Sequence, residues 1–319
     1  MVITGASSGV GRVTALRLAK RGDSVVLASR RGAALDLLAR ECEQLGASAL
    51  AVATDVSSSA EVERLAAAAV ERFGRIDVWV NNASVTSFGS FLDTPLDDID
   101  RVLDVNLRGY IHGARAAFTV FHRQGSGTLV NVSSIIAEIP VPYMTAYSIA
   151  KAGVNALSMS LRQEITVHGP KGVHVTTVLP ASIDTAIYRN AANVSGHVAM
   201  PPPPVYPPEV VATAIESAIR HPRREVVAGP AGLAFVRLHR VLPGIVEGQM
   251  AVLVDLVRRF GRPLAPTRGA IEVPASTADA TEAGGWHGTA RYRTRRVLVW
   301  GAALGAAFFI LKGRQRPAA

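Results

Sequence analysis

Short apolar runs alternate with amphipathic stretches along most of the chain. MVIT (1–4), SVVLAS (24–29), ALAVAT (49–54), IDVWVN (76–81), TLVNVS (128–133), VHVTTVL (173–179) and EVVAG (225–229) are rich in Val, Leu and Ala. Such short runs predict buried strands. Segments between them, such as SAEVERLAAAAVERF (59–73), space apolar residues helically and place acids near their start, where a helix dipole favours them. Buried strands separated by helices predict an α/β fold: a doubly wound, Rossmann-like parallel sheet of about seven strands with helices on both faces, over residues 1–230. The first run is shorter than the usual ~5 residues, which leaves open a start upstream of Met1.

Beyond residue 230 the pattern changes. Residues 231–260 form a helical extension with an apolar stripe at Val246, Met250, Leu253, Val257 and Phe260, broken upstream by Pro243-Gly244. Residues 261–290, rich in Pro, Thr, Ala and Gly and without a period, are expected to be a flexible linker. In the basic and apolar tail, 291–319, residues 297–311 carry no charge, with arginines before them and Lys312, Arg314 and Arg316 after. A helix of that length reaches about 22 Å, short of the ~30 Å hydrocarbon core. Snorkelling basic side chains and bilayer thinning close part of the gap. The expectation is a C-terminal membrane anchor, transmembrane or interfacial; a helix packed on the body or on a partner is the alternative.

Composition narrows the classes. Hydrophobic residues at 49% and charged residues at 18% indicate a globular body. The net charge of +9 comes from dispersed arginines, without zinc-ligand spacing or interleaved basic and aromatic residues, so neither nucleic acid nor a metal is expected. The single cysteine, Cys42 in RECEQ, reads as an exposed helical residue of a reducing compartment. With no basic and apolar signal segment at the N-terminus, a cytoplasmic catalytic domain is expected.

Thr4 to Gly11, TGASSGVG, follows the first strand and opens a helix. Gly5 permits a tight turn, Gly9 lets backbone approach a phosphate, and Gly11 lets the helix sit close to the sheet. A pyrophosphate would rest on the helix N-terminus, with Ser7 and Ser8 as further donors. An NAD-specific site carries an acid at the end of the second strand; here Ser29 and Arg30 stand there, a pair suited to a 2′-phosphate. That favours NADP(H) over NAD(H), unless Arg30 simply faces solvent at a helix start. Further along, Tyr147 and Lys151 in AYSIAKAG lie one helical turn apart on one face. An ammonium beside a phenol favours the phenolate, and such a phenol can exchange protons near neutral pH.

Together these motifs resemble the short-chain dehydrogenase/reductase family, in its single-domain form, over residues 1 to about 230. Asp55-Val56 is similar to the family's adenine-contacting pair, and Asn81-Asn82-Ala83-Ser84 to its motif beside the cofactor. Asn106 in DVNLRG and Ser134 in NVSS match its catalytic asparagine and serine; Ser134 precedes Tyr147 by the family's 147 − 134 = 13 residues. Pro180, Ala181, Ile183 and Thr185 resemble the stretch that holds the nicotinamide, besides Val10 and the glycines at the phosphates. Ser84 and Ala181 depart from the usual glycines, small for small. The resemblance implies an oxidoreductase in which Tyr147 is the general acid–base and Lys151 lowers its pKa and holds the cofactor ribose. Ser134 holds the substrate oxygen, and Asn106 seats a proton-relay water.

The resemblance also implies a homodimer or tetramer through helices 96–123 and 143–168, and a substrate lid over 186–208. The lid's apolar residues lean towards an apolar alcohol or carbonyl substrate. Its prolines suggest a stiff segment or, alternatively, a ligand for proline-recognition modules. Tyr143 either lines the substrate cleft or packs, Ser133 reads as a strand-end residue, and His112 and His122 pack or face solvent. The alternative to an enzyme is a non-catalytic dinucleotide-binding sensor or a membrane-tethered scaffold.

Overall fold

The expected strands all form, and in one sheet. The computed structural model describes residues 1–277 and 280–286. Its strands are β1 (Val2–Thr4), β2 (Val25–Ser29), β3 (Ala49–Ala53), β4 (Val78–Asn81), β5 (Ser87–Phe88), β6 (Ser126–Val132), β7 (Gly172–Pro180), β8 (Ala192–Asn193) and β9 (Glu225–Ala228). The order β3-β2-β1-β4-β6-β7-β9 is parallel throughout, while β5 and β8 pair separately. The chain winds outward from β1 to β3 and then restarts at β4 on the other side of β1. That reversal opens a crevice at the carboxyl ends of β1 and β4, where doubly wound sheets bind ligands.

Helices α1 (Gly9–Ala19), α2 (Gly32–Gln44) and α7 (Glu209–Arg220) cover one face, burying Leu18, Leu35 and Ile215 with Ile3, Leu27 and Val80 of the sheet. On the other face, α3 (Ser59–Phe73), α5 (Gly109–Gln124) and α6 (Thr145–His168) pack Leu65, Phe121 and Leu157 over Trp79 and Leu129. The helix expected over 96–123 is interrupted. Between α4 (Leu96–Leu103) and α5 the turns widen into a π-helix over Asp104–Arg108, a distortion common at functional sites. Cys42 also departs from expectation: it shares the inward face of α2 with Leu35 and Leu38 and is fully buried, and desolvation pushes its thiol up to about 11.

After β9, α8 (Pro230–Val241) and α9 (Pro243–Arg259) turn back over the crevice. Val246, Met250, Leu253 and Val257 of the predicted stripe point inward, whereas Phe260 is exposed. They join Phe88, Val141 and Met144 in a third apolar cluster above the sheet ends. Residues 261–277 and 280–286, within the stretch expected as a linker, lie against the body, with bridges Asn193↔Thr267 and His197↔Pro263. Their missing periodicity reflects attachment through backbone groups and ion pairs rather than an apolar face. The anchor expected at 297–311 falls outside the described residues; among those described, no helix is long and apolar enough to cross a membrane.

A buried polar chain fixes the two long helices on the sheet. The register pairs Asn81 of β4 with Asn131 of β6. Asn81 Nδ2 donates to Asn131 Oδ1 (2.9 Å) and to the Tyr110 carbonyl of α5 (3.1 Å), while Asn81 Oδ1 accepts from Trp79 Nε1 (2.8 Å). Asn131 Nδ2 then donates to Ser158 Oγ of α6 (2.9 Å). Gly113 leaves room for this chain: a Cβ there would collide with Asn81 Oδ1 and lie 2.8 Å from Trp79 Nε1. Gly113→Ala, a change that stabilises an exposed helix, is expected here to cost about 3 kcal/mol by leaving buried amides unpaired. Urea unfolding checks this; equal or greater stability would show that the chain does not hold α5.

Candidate active site

Every residue predicted for catalysis or cofactor binding, except Gly11 and Asn106, lines one cavity of about 300 Å³ at the crevice. Gly11 is a packing residue, since a Cβ there would lie 2.7 Å from Asn82 Nδ2. The side chain of Asn106 turns to the backbone of Val85, accepting from its N–H (2.9 Å) and donating to its carbonyl (2.7 Å). Asn106 is therefore fully buried in the π-turn, where it ties that turn to the chain after β4.

The phosphate end is built by local necessity. Gly5 has φ of 65°, and a side chain there would press on Ala83 Cα at 2.7 Å. Thr4 Oγ1 accepts from the amides of Asn82 (3.0 Å) and Ala83 (3.2 Å), locking the turns after β1 and β4 together. Ser29 ends β2 without a carboxylate, and its hydroxyl accepts from the Arg31 amide (3.1 Å). Arg31, which sequence reasoning passed over, reaches back to Ser7 Oγ (2.9 Å) and Ser8 Oγ (2.7 Å). Two guanidiniums thus border a turn of small residues with no acid at the end of β2. These donors fit a dinucleotide phosphate. Asp55 is held by Ser57 Oγ (2.7 Å) and Arg101 Nη2 (2.7 Å). Burial works against its charge, but these bonds hold the carboxyl below its usual range.

At the other end, α6 brings Tyr147 and Lys151 to the same wall, and Ser134 follows β6 opposite them. Ser134 is extended and accepts from the Ile136 amide (3.2 Å), capping a short turn. Lys151 is fully buried, and its Nζ donates to Tyr110 Oη (3.0 Å) and the Val132 carbonyl (2.9 Å). Tyr110 Oη in turn donates to the same carbonyl (2.8 Å), so its oxygen can only accept from the lysine. No motif pointed to Tyr110; its only signal was a lone aromatic four residues after Asn106, between Gly109 and Gly113.

Electrostatics here differ from the expectation. Burial pulls Lys151 down to about 7, so the ammonium is only partly charged at neutral pH. Tyr147, enclosed deep in the cavity, is raised above the usual phenol range by desolvation, which the nearby Ser84 and Ser134 hydroxyls offset in part. The phenol is thus held protonated rather than lowered by Lys151, whose ammonium is directed at Tyr110 and Val132.

The substrate end is apolar: Phe88, Val141 and Met144 face Met250, Val254 and Val257 of α9 across the cavity. Tyr143 does not line it. With φ of 67°, Tyr143 donates to Asp255 Oδ1 of α9 (2.6 Å) and so fastens that helix to the loop before α6. His112 Nδ1 lies 3.0 Å from the Val56 carbonyl, a contact between α5 and the loop after β3, and His122 Nδ1 3.0 Å from the Phe118 carbonyl within α5.

The sequence and fold have counterparts among known proteins. The short chain dehydrogenase family model matches residues 1–194. An uncharacterized oxidoreductase of Bacillus subtilis, YxnA, is 35% identical over 268 residues, 83% of this chain and 75% of its own. L-rhamnose 1-dehydrogenase (NAD(P)(+)) of a Sphingomonas strain is 39% identical over 193 residues, 60% of this chain and 74% of its own. A Burkholderia phymatum short-chain dehydrogenase/reductase, solved with NAD, superposes with a TM-score of 0.67 at 28% identity, covering 83% of this chain and 96% of that one.

The lowered Lys151 has a stability signature. Between pH 7 and 10.5 the unfolded chain keeps a proton that the folded chain has lost, so stability rises with pH over that interval. Urea unfolding at pH 7, 8 and 9 is expected to show a rise of about 1 kcal/mol per pH unit that Lys151→Met removes. Equal slopes in both proteins would show that the ammonium is not desolvated.

Proposed function

Because the chain belongs to the short-chain dehydrogenase/reductase family of oxidoreductases, we propose that it interconverts an apolar alcohol and its carbonyl with NADP(H). The observation that carries this reading is the convergence of Ser134, Tyr147 and Lys151 on the cavity that also holds the glycine turn. The nicotinamide supplies or accepts the hydride. The protein's part is position and protons. Ser134 Oγ donates to the substrate oxygen and stabilises the charge that develops there. Tyr147, held protonated, gives its proton to that oxygen in the direction of carbonyl reduction and takes it back in the reverse. Lys151, oriented by Tyr110 and the Val132 carbonyl, keeps its third hydrogen for the cofactor ribose. Asn106 serves by holding the π-turn that places Tyr110.

The cofactor assignment is supported by Arg30 and Arg31 at an acid-free strand end, and the substrate class by the apolar wall of α9. The L-rhamnose that gives the Sphingomonas relative its name would find few polar partners on that wall. Self-association through α5 and α6 is supported by the exposure of Ile111 (42%), Ile149 (50%) and Met159 (47%) on those helices. Sedimentation is expected to show an oligomer that Ile149→Arg dissociates; a wild-type monomer would remove this part of the reading.

Oxidation of NADPH and NADH against apolar aldehydes and ketones tests the whole. NADPH turnover is expected to exceed NADH turnover and to fall about 10²- to 10⁴-fold in Tyr147→Phe. Preference for NADH would overturn the cofactor assignment alone. Turnover unaffected by Tyr147→Phe would overturn the mechanism, and cofactor binding without turnover on any substrate would favour the sensor reading.

A further inference from the structure

We propose that residues 270–277 and 280–282 form a built-in competitor for the phosphates of the cofactor and thereby set how tightly a dinucleotide binds; this rests on the NADP(H) reading above. The donors that the glycine turn and β2 offer to a cofactor are already engaged by carbonyl oxygens of this chain. The Gly9 amide donates to the Thr281 carbonyl (2.8 Å). Arg30 Nη1 donates to the carbonyls of Ile271 (3.1 Å) and Glu272 (2.6 Å), and Nη2 to that of Ala270 (2.9 Å). Arg31 Nη1 reaches the Ser276 carbonyl (3.3 Å).

The segment's described residues, with Trp286 just beyond them, are held to the body at several points. The Ala270 amide donates to the Asn190 carbonyl (2.9 Å), and the Trp286 amide to Asp184 Oδ1 (2.9 Å). Arg101 donates to the Ile271 carbonyl (3.1 Å) and pairs with Glu272 (3.6 Å), and Arg12 pairs with Glu282 (3.5 Å). Thr281 and Ala270 to Glu272 therefore stand where phosphate oxygens would be received.

A carbonyl oxygen and a phosphate oxygen call on the same N–H groups, which cannot serve both. Phosphate makes the stronger, charge-assisted bonds and can displace the segment. NADP(H) brings a 2′-phosphate to replace the three carbonyls on Arg30, and NAD(H) brings nothing there. The segment thus weakens both cofactors by the fraction of molecules in which it is lifted, and the 2′-phosphate remakes for NADP(H) the Arg30 bonds that NAD(H) leaves unmade.

The test uses the full chain. Gly269 has φ of 52°, and a Cβ there would collide with the Asn190 and Ala191 carbonyls, so Gly269→Val lifts the start of the segment. Glu282→Ala removes the Arg12 pair and is a milder variant that keeps the test open if Gly269→Val does not fold. Calorimetric titration is expected to give a Kd for NADPH roughly tenfold lower in Gly269→Val and a smaller drop in Glu282→Ala. Hydrogen exchange of the wild-type chain is expected to speed up at 270–286 when NADPH is added. Unchanged or weaker binding in folded variants would overturn the proposal, as would slower exchange at 270–286 with NADPH. Tighter binding of NADH in the variants, with no NADPH binding in any protein, would support the competitor and overturn only the cofactor assignment.

Discussion

The site depends on the amide of Asn81. It lies on the strand that restarts the sheet beside β1, and it binds across to Asn131 and up to the Tyr110 carbonyl, as Asn131 binds to Ser158. Helices α5 and α6 are thereby indexed to the same two strands. Tyr110 and Lys151 meet only because both helices are fixed in this way. In a buried setting each of these bonds is costly to lose and the alternatives are few, so the network selects one arrangement.

The electrostatic state of Tyr147 and Lys151 follows from the same burial. An ammonium with two neutral acceptors and no acidic partner is pulled towards neutrality, and a phenol enclosed beside it keeps its proton. Desolvation, more than a charge opposed to a charge, sets the state of the pair. Tyr110 matters in this account because its hydroxyl can only accept from Lys151, having given its own hydrogen to Val132.

Much of this was legible in the sequence. Apolar runs marked the seven sheet strands, and the glycine turn, the Tyr147–Lys151 spacing and the Ser134 offset marked residues that meet at one cavity. What was missed shares a cause. Cys42 looked exposed because its neighbours are charged, while its helical phase with Leu35 and Leu38 buries it. The π-turn arises from tertiary bonds between Asn106 and Val85, which no local pattern records. The segment after residue 260 looked like a linker because it docks through backbone carbonyls, and every residue has one. Tyr110 carried no motif because its role lies in where its hydroxyl points.

The wall of α9 divides the molecule in another sense. Ser134, Tyr147 and Lys151 fall within the family-matched stretch 1–194, as do Phe88, Val141 and Met144 of the cavity's apolar end, whereas the facing Met250, Val254 and Val257 lie well beyond it. The cavity's apolar end is thus closed by two parts of one chain, one inside the matched stretch and one beyond it. Drift in the later part can reshape the chamber while the reacting geometry stays under its own constraint. Relatives that share the catalytic half need not share an appetite.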